Sequence, residues 1–259
     1  MTTRRRASEH GSPAPRPSRR VPRLAGVAAL TLLIGTAGVM VPAAAQPAAG
    51  SGAPGYPGEA ADWSPGDKDG FGTAIGALDS KVWYTLNDGV LSEVFAPRID
   101  TPSSRDTEFV VTDGSTFTDR ESEATEHRVE LVDDRALVYR HVNTATSGRY
   151  RITKTYTTDP ARSAVVVDVQ FESLDGQPYQ LYVLHDVGLG LNANDDTGRS
   201  AAGALLATDG RQSSAAVVPG GFSRTSSGYL GRSDGFSDLS SDHQLDDLYP
   251  TASDPGNVV

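Results

Sequence analysis

Two neighbouring runs, Tyr150-Arg151-Ile152-Thr153-Lys154-Thr155-Tyr156-Thr157 and Val165-Val166-Val167-Asp168-Val169-Gln170-Phe171, alternate residue by residue. In the first, Tyr150, Ile152, Lys154 and Tyr156 share one side and Arg151, Thr153, Thr155 and Thr157 the other. In the second, Val165, Val167, Val169 and Phe171 stand against Val166, Asp168 and Gln170. A period of two is the signature of a strand, whose successive side chains point to opposite faces.

Candidate strands extend on both sides of this pair, at 81–86, 90–95, 107–112, 127–132, 136–142, 179–184, 203–208 and 214–218. Between them stand Asn87-Asp88-Gly89, Asp113-Gly114, Asp133-Asp134, Ser147-Gly148, Asp175-Gly176 and Asp209-Gly210. Each can supply the positive φ or Asx-type bonding of a tight turn. No window carries a sustained apolar repeat at i, i+3, i+4 and i+7, and 27 Gly with 16 Pro among 259 residues favour turns over long helices. The fold class is therefore all-β, with antiparallel sheets packed face to face. The tail from Gly231 to Gly256, with Asp at 234, 238, 242, 246, 247 and 254, reads as polar turns. The ending Asn257-Val258-Val259 reads as the start of a strand, so the sandwich is expected to be truncated at its C-terminus.

The net charge of −10 divides unevenly. Residues 1–45 hold seven Arg and one acid, Glu9, for +6, and residues 46–259 hold the other 16 bases and 32 acids, for −16. A body so rich in carboxylates repels phosphate backbones and anionic membranes, so no nucleic-acid partner is expected. The absence of Cys excludes disulfides, thiolate metal sites and cysteine nucleophiles. Within 1–45 a basic run ending Arg19-Arg20-Val21-Pro22-Arg23 precedes the uncharged stretch 24–41 and the small residues Ala43-Ala44-Ala45. That order is a secretory signal peptide of Sec or Tat type. The stretch 46–62, rich in Gly, Pro and Ala, reads as a flexible linker, and 63–259 as the sandwich. The mature protein is expected to be secreted, to start near Gln46 and to lack a membrane anchor. Intact-mass measurement of exported protein checks this, and retention of residues 1–45 in membranes is the contrary outcome.

Catalytic motifs are sparse. There is no Gly-x-Ser-x-Gly, no His-Glu-x-x-His and no Gly-rich phosphate loop with its Lys and Ser/Thr. His127, His141, His185 and His243 are scattered. His185-Asp186 has the residue types of an acid/base pair, but neighbours in a strand face opposite ways. Asn192-x-Asn194-Asp195-Asp196-x-Gly198 sets oxygen ligands at alternate positions, as calcium favours, without the EF-hand spacing. An Asx-rich loop is the plainer reading, and calcium apart, no cofactor is expected. Paired carboxylates drive glycoside hydrolysis, but no pair stands out among 32 acids and no catalytic residue is assigned.

An ordered series of segments carries a resemblance: Gly52-Ala53-Pro54-Gly55, Trp63, Lys68-Asp69-Gly70-Phe71-Gly72-Thr73, Ser80-Lys81-Val82-Trp83-Tyr84-Thr85-Leu86, Leu91-Ser92-Glu93-Val94-Phe95, Pro97-Arg98-Ile99-Asp100-Thr101-Pro102, Arg105-Asp106 and Val111-Thr112-Asp113-Gly114. Ser233-Asp234-Gly235-Phe236-Ser237-Asp238-Leu239 and Gly256-Asn257-Val258-Val259 continue it. This series resembles the N-terminal domain of secreted bacterial glucoamylases and glucodextranases of glycoside hydrolase family 15. The resemblance implies a large antiparallel β-supersandwich, galactose mutarotase-like, that in the family precedes an (α/α)6 barrel. The barrel carries the two catalytic glutamates of an inverting exo-hydrolysis that releases glucose from α-glucan ends. No barrel is read in this sequence, so the chain alone is expected to be inactive, an accessory domain whose partners are a catalytic barrel and α-glucan. Trp63, Trp83 and Tyr84 match motif positions; with Phe236, where relatives commonly carry Trp, they are the candidate carbohydrate or domain-interface residues. Phe95-Ala96 departs from the paired aromatics usual there. Arg98-x-Asp100 and Arg105-Asp106 read as loop-fixing ion pairs. The alternatives are a free-standing carbohydrate-binding module and a mutarotase-type sugar epimerase.

Overall fold

The alternation in the Tyr150 and Val165 runs becomes one wall of a sandwich. The structure, a computed structural model, describes residues 52–74, 79–201 and 203–259; the expected leader, 1–45, lies outside the described residues. Seven strands form the first sheet: β1 (Gly70–Thr73), β2 (Trp83–Asn87), β3 (Val90–Phe95), β4 (Pro102–Ser104), β5 (Asp106–Thr112), β6 (Thr118–Arg120) and β11 (Gln180–Asp186). Their order is β1-β2-β3-β5-β11, with β4 on β3 and β6 on β5. The second sheet is β10-β9-β8-β7, made of β7 (Thr125–Asp133), β8 (Val138–Ala145), β9 (Tyr150–Thr158) and β10 (Val165–Ser173). The third is β14-β13-β12-β15, from β12 (Asp196–Ala201), β13 (Ala204–Thr208), β14 (Ser213–Val217) and β15 (Thr251–Gly256). Every ladder is antiparallel. The all-β antiparallel sandwich read from the sequence is the fold.

The first two sheets bury their facing sides. Phe109 and Val111 of β5 meet Ala145, Tyr150, Ile152 and Val169, while Tyr84, Leu86 and Leu91 meet Tyr156. The inward side of β9 is the expected one, and it includes Lys154, so a charge is carried into an apolar layer where it is costly unless paired. The partner comes from a one-turn helix, α1 (Glu121–Ala124), that joins β6 to β7. Lys154 Nζ donates to Glu121 Oε1 at 2.6 Å and to Gly89 O at 2.5 Å. Glu121 Oε1 also accepts from Phe109 N at 2.9 Å, and Glu121 Oε2 from Asn143 Nδ2 at 2.8 Å. Burial pushes Glu121 up and Lys154 down, and their contact opposes both shifts. His141, beside them and wholly buried, is pushed down to about 3 by burial and by the Lys154 charge, so it is neutral in the fold. Gly89, at φ +78°, turns β2 into β3 where a Cβ would lie 2.9 Å from Asn143 Nδ2, so glycine meets both the conformation and the space.

The Gly231–Gly256 tail is more ordered than its polarity suggests. It contains α2 (Gly235–Asp242) as well as β15. Asp234 caps the helix, accepting from Phe236 N at 3.0 Å and Ser237 N at 2.9 Å, and His243 closes it in the left-handed region at φ 72°. Eight residues are too few for an apolar period, and the cap was the only local signal. With Leu245 and Leu248, the Phe236 and Leu239 side of α2 covers Val110, Tyr182 and Leu184 on the outer face of the first sheet.

The described part of the 46–62 stretch, residues 52–62, departs from the linker expectation, because it is bonded to the body. Ala53 N donates to Thr251 O at 2.7 Å, Glu59 N to Leu230 O at 2.8 Å and Asn257 N to Pro57 O at 2.9 Å. A Cβ on Gly256 would sit 2.6 Å from Pro57 O. Composition reports side chains that bury little, whereas here the backbone groups make the attachment.

Lys154→Ala leaves a buried carboxylate without its cation and is expected to lower stability by about 3–5 kcal/mol in urea unfolding. Lys154→Met combined with Glu121→Gln removes both charges and is expected to recover more than half of that loss. A double variant as unstable as the single one would contradict the assignment.

Candidate functional site

Most of the candidate residues gather on the outer face of the first sheet and around its rim. On β5 and β11 this face carries three cross-strand pairs, Val110 with Tyr182, Glu108 with Leu184, and Asp106 with Asp186. On β1 to β3 it carries Phe71 opposite Thr85 and Trp83 opposite Phe95. Helix α2 covers the first set and leaves the second set outside its footprint.

Phe71 is 39 % exposed, and Trp83 and Phe95 are half-buried. Trp63 is 44 % exposed, with the Arg105 guanidinium 5.4 Å from the ring centroid. Ser64 and Lys68 hold the segment after it to β3, through bonds of 2.5 and 2.9 Å to Glu93 Oε1, and Thr85 donates to the other oxygen. These donors and the Lys68 charge hold the Glu93 carboxyl below its usual range although burial opposes them. Tyr84 belongs to neither candidate class. It is fully buried, its hydroxyl donates to Leu137 O at 3.0 Å and its ring lies 6.2 Å from that of Tyr156. Strand parity, with Trp83 facing out, sends the next residue into the core.

Phe236, the remaining candidate, lines a cavity of about 260 Å³ between α2 and the β5–β11 ladder, together with Asp106, Asp186, Arg120 and Leu184. The Arg120 guanidinium lies 4.7 Å from the Phe236 ring centroid and is paired with Glu108. Asp186 Oδ1 accepts from Arg105 Nη1 at 3.2 Å. Burial pushes Asp186 up to about 6 although Arg105 pulls it down. Burial pushes Asp106 well above the carboxylate range, and the Asp186 and Glu108 carboxylates add to the shift.

The sequence neighbours are sorted differently from the expected pairs. Arg105 bonds Asp186 across the ladder, not Asp106 beside it, while Arg98 and Asp100 do form their pair, at 2.8 and 2.9 Å on the surface. His185 and Asp186 point apart, and His185 Nδ1 shares a hydrogen bond of 2.7 Å with Thr107 Oγ1. Burial pushes His185 down to about 4. In the Asn192 to Gly198 loop two side-chain oxygens are taken by donors of the fold. Asn194 Oδ1 accepts from Arg105 Nη2 at 2.6 Å, and Asp196 Oδ2 from Leu189 N at 3.0 Å. Among the described residues, the carboxylates that do converge are Asp238, Asp246 and Asp247, where Asp238 Oδ2 already accepts from the backbone N–H groups of the other two at 2.8 Å. Asp106 as a partner for Asp186 was missed because they lie far apart in the chain and only the strand register joins them.

Residues 53–259 match the profile of the family described as glucodextranase, domain N. A glucoamylase of Clostridium sp. (strain G0005) is 43% identical over 132 residues, which are 50% of this chain and 19% of that protein. A solved structure titled as bacterial glucoamylase complexed with acarbose matches 80% of this chain and 31% of its own, at 35% identity and a TM-score of 0.76. The chain thus spans less than a third of the length of either relative.

Asp196 is fully buried, its Oδ1 has no partner among the described residues, and burial raises its carboxyl from 3.8 to about 6. The folded protein therefore keeps this proton at pH values where the unfolded chain has lost it, and stability falls as pH rises from about 4 to about 6. Asp196→Asn, which does not titrate, is expected to exceed the parent by about 1–3 kcal/mol above pH 6 and to lose the advantage below pH 4. Urea midpoints at the two ends of that window measure it, and a gap independent of pH would refute it.

Proposed function

The chain belongs to the glucodextranase domain N family, and on that premise we propose that it is the secreted β-sandwich domain of an α-glucan exo-hydrolase of glucoamylase or glucodextranase type. It is itself without hydrolytic activity and packs against a catalytic (α/α)6 barrel. The single observation that carries this reading is the match over 53–259, set beside glucoamylases that are three to five times as long as the region they share with it.

Two features of the site support the non-catalytic part. Three of the buried acids are engaged by bases, Glu121 with Lys154, Glu108 with Arg120 and Asp186 with Arg105, although Asp106 and Asp196 are not. The buried imidazoles are held neutral by desolvation, which removes the general acids that ring protonation would provide. Phe71, Trp83 and Phe95 support the docking part, because half-exposed aromatics outside the α2 footprint offer an anchor of the kind that dominates interface energetics. Secretion rests on the order of charge, apolar run and small residues in 1–45. No helix among the described residues is long and apolar enough to cross a membrane.

Incubated with maltooligosaccharides, the purified chain is expected to release no glucose above a blank. Added to the separately produced barrel of a related glucoamylase, it is expected to show amide protection on β1 to β3. Trp83→Ala or Phe95→Ala should weaken that complex about tenfold or more. Glucose release by the chain alone, or protection confined to the β7 edge or the third sheet, would overturn the reading.

A further inference from the structure

The α2 cavity holds hydrogen-bonding capacity that the fold leaves unspent. Asp106 Oδ1 is sealed from solvent and has no partner among the described residues. Asp186 is only 8 % exposed and accepts at Oδ1 from Arg105, while among the described residues no bond is made to its Oδ2. The two residues face each other across the β5–β11 ladder and so point to the same side of the sheet. Most other charges near them are engaged, Glu59 of the same lining with Arg232 at 3.4 Å, although Arg105 Nε has no partner among the described residues. Asp234 is committed to the α2 N-terminus and to Gly231 N, Arg120 to Glu108, and Arg105 to Asp186, Val187 O, Asn194 and Asn257.

These facts define the ligand by chemistry. Two carboxyls that face each other across one ladder oppose each other as anions, which favours a proton on one of them. Burial first, then the Asp186 and Glu108 carboxylates, push Asp106 toward the protonated form against Arg120 and Arg105, whereas Asp186 carries the direct Arg105 bond. The cavity thus offers one acid that donates and one carboxylate that accepts, beside the apolar walls of Leu184, Phe236 and Val259. An anion meets the carboxylates of Asp186, Glu59 and Asp234 in the same lining. A divalent cation meets two guanidinium groups and fewer than three converging carboxylates. An ammonium ion only donates and leaves the Asp106 proton without an acceptor. A hydroxyl both gives and receives, so a vicinal diol satisfies both residues, and the ring that carries it presents C–H groups to Phe236.

We propose that the cavity between α2 and the β5–β11 ladder is a binding site for a single neutral polyhydroxylated ring of pyranose size, held by Asp106 and Asp186. Its volume, about 260 Å³, lies just below the ~300 Å³ at which pockets for larger ligands begin, which suits one ring and not a chain of them. The site is separate from the β1–β3 face, and it stands whether or not that face docks a barrel.

Amide-resolved NMR titration of the purified chain with D-glucose and with myo-inositol tests it, with methylammonium chloride and inorganic phosphate as the competing chemistries. One or both polyols are expected to shift the Gly231, Ser237 and Val259 amides with saturation in the millimolar range, and the two ions are not. Phe236→Trp adds bulk to the cavity wall and an N–H within reach of the acids, so it is expected to keep or raise the melting temperature while weakening the polyol at least tenfold. Absence of saturation by about 100 mM, a weak-fragment affinity limit, means the cavity holds only water and overturns the proposal. So does stronger binding of either ion, or a polyol response that survives Phe236→Trp.

Discussion

A buried ion pair, Lys154 with Glu121, sets the terms on which the two main sheets can meet. Lys154 projects from β9 into the layer between them, and no water reaches its ammonium. An unpaired charge there would cost more than the neighbouring aromatics return, so the pair has to form whenever the sheets close. Its partner set explains much of the local architecture. Glu121 reaches it only because a single helical turn interrupts the chain between β6 and β7. The same carboxylate holds the backbone of β5 and the Asn143 amide of β8, and the ammonium holds the β2–β3 turn at Gly89. Five elements are thereby indexed to one contact, and a register slip in any of them would leave a polar group buried without a partner.

The outer face of the first sheet repeats this device with different ends in view. Arg105 collects Asp186, the Val187 carbonyl, Asn194 and Asn257, which ties the start of β5 to the end of β11, to the Asn192 loop and to the segment after β15. A guanidinium presents five donors in a fixed plane and can serve four acceptors at once, which a lysine in its place could not do with the same geometry. That one residue also takes the Asn194 oxygen of the Asx-rich loop. It bonds Asp186 directly and not Asp106, though the two face each other across one ladder. The third sheet is drawn to the first through the same neighbourhood, by Val187 N to Val258 O at 3.1 Å and by the packing of Val187 and Leu189 on Ala207.

The arrangement also divides labour over the outer face. The half under α2 is covered and holds a cavity with two carboxyls, whereas the half over β1 to β3 keeps Phe71, Trp83 and Phe95 partly accessible. Covering it needs the helix, and the helix has its Asp234 cap, with four bonds made to that carboxylate. A domain built in this way can present an aromatic surface to a neighbour while its main buried charges are paired inside, which is the physical content of the accessory role proposed for it.

By itself the sequence determined what depends on near neighbours along the chain. The strands around Tyr150, Val165 and Val90 were legible because a period of two fixes which residues share a face, and the turns at Gly89 and Gly148 because few residues adopt a positive φ. The short strands β1, β4, β6, β12 and β15 and the two helices were not, since pieces of three to eight residues carry too little pattern to be told from turns. The Arg98–Asp100 pair was within reach of local reasoning. Only the tertiary structure decided that Lys154 meets Glu121, that Arg105 takes Asp186 and not Asp106, that Tyr84 lies in the core while Trp83 faces out, and that Asp106 and Asp186 share one cavity. Each of these depends on register and layer packing between segments far apart in the chain, and such distances are set by burying apolar faces against one another, not by any spacing along the sequence.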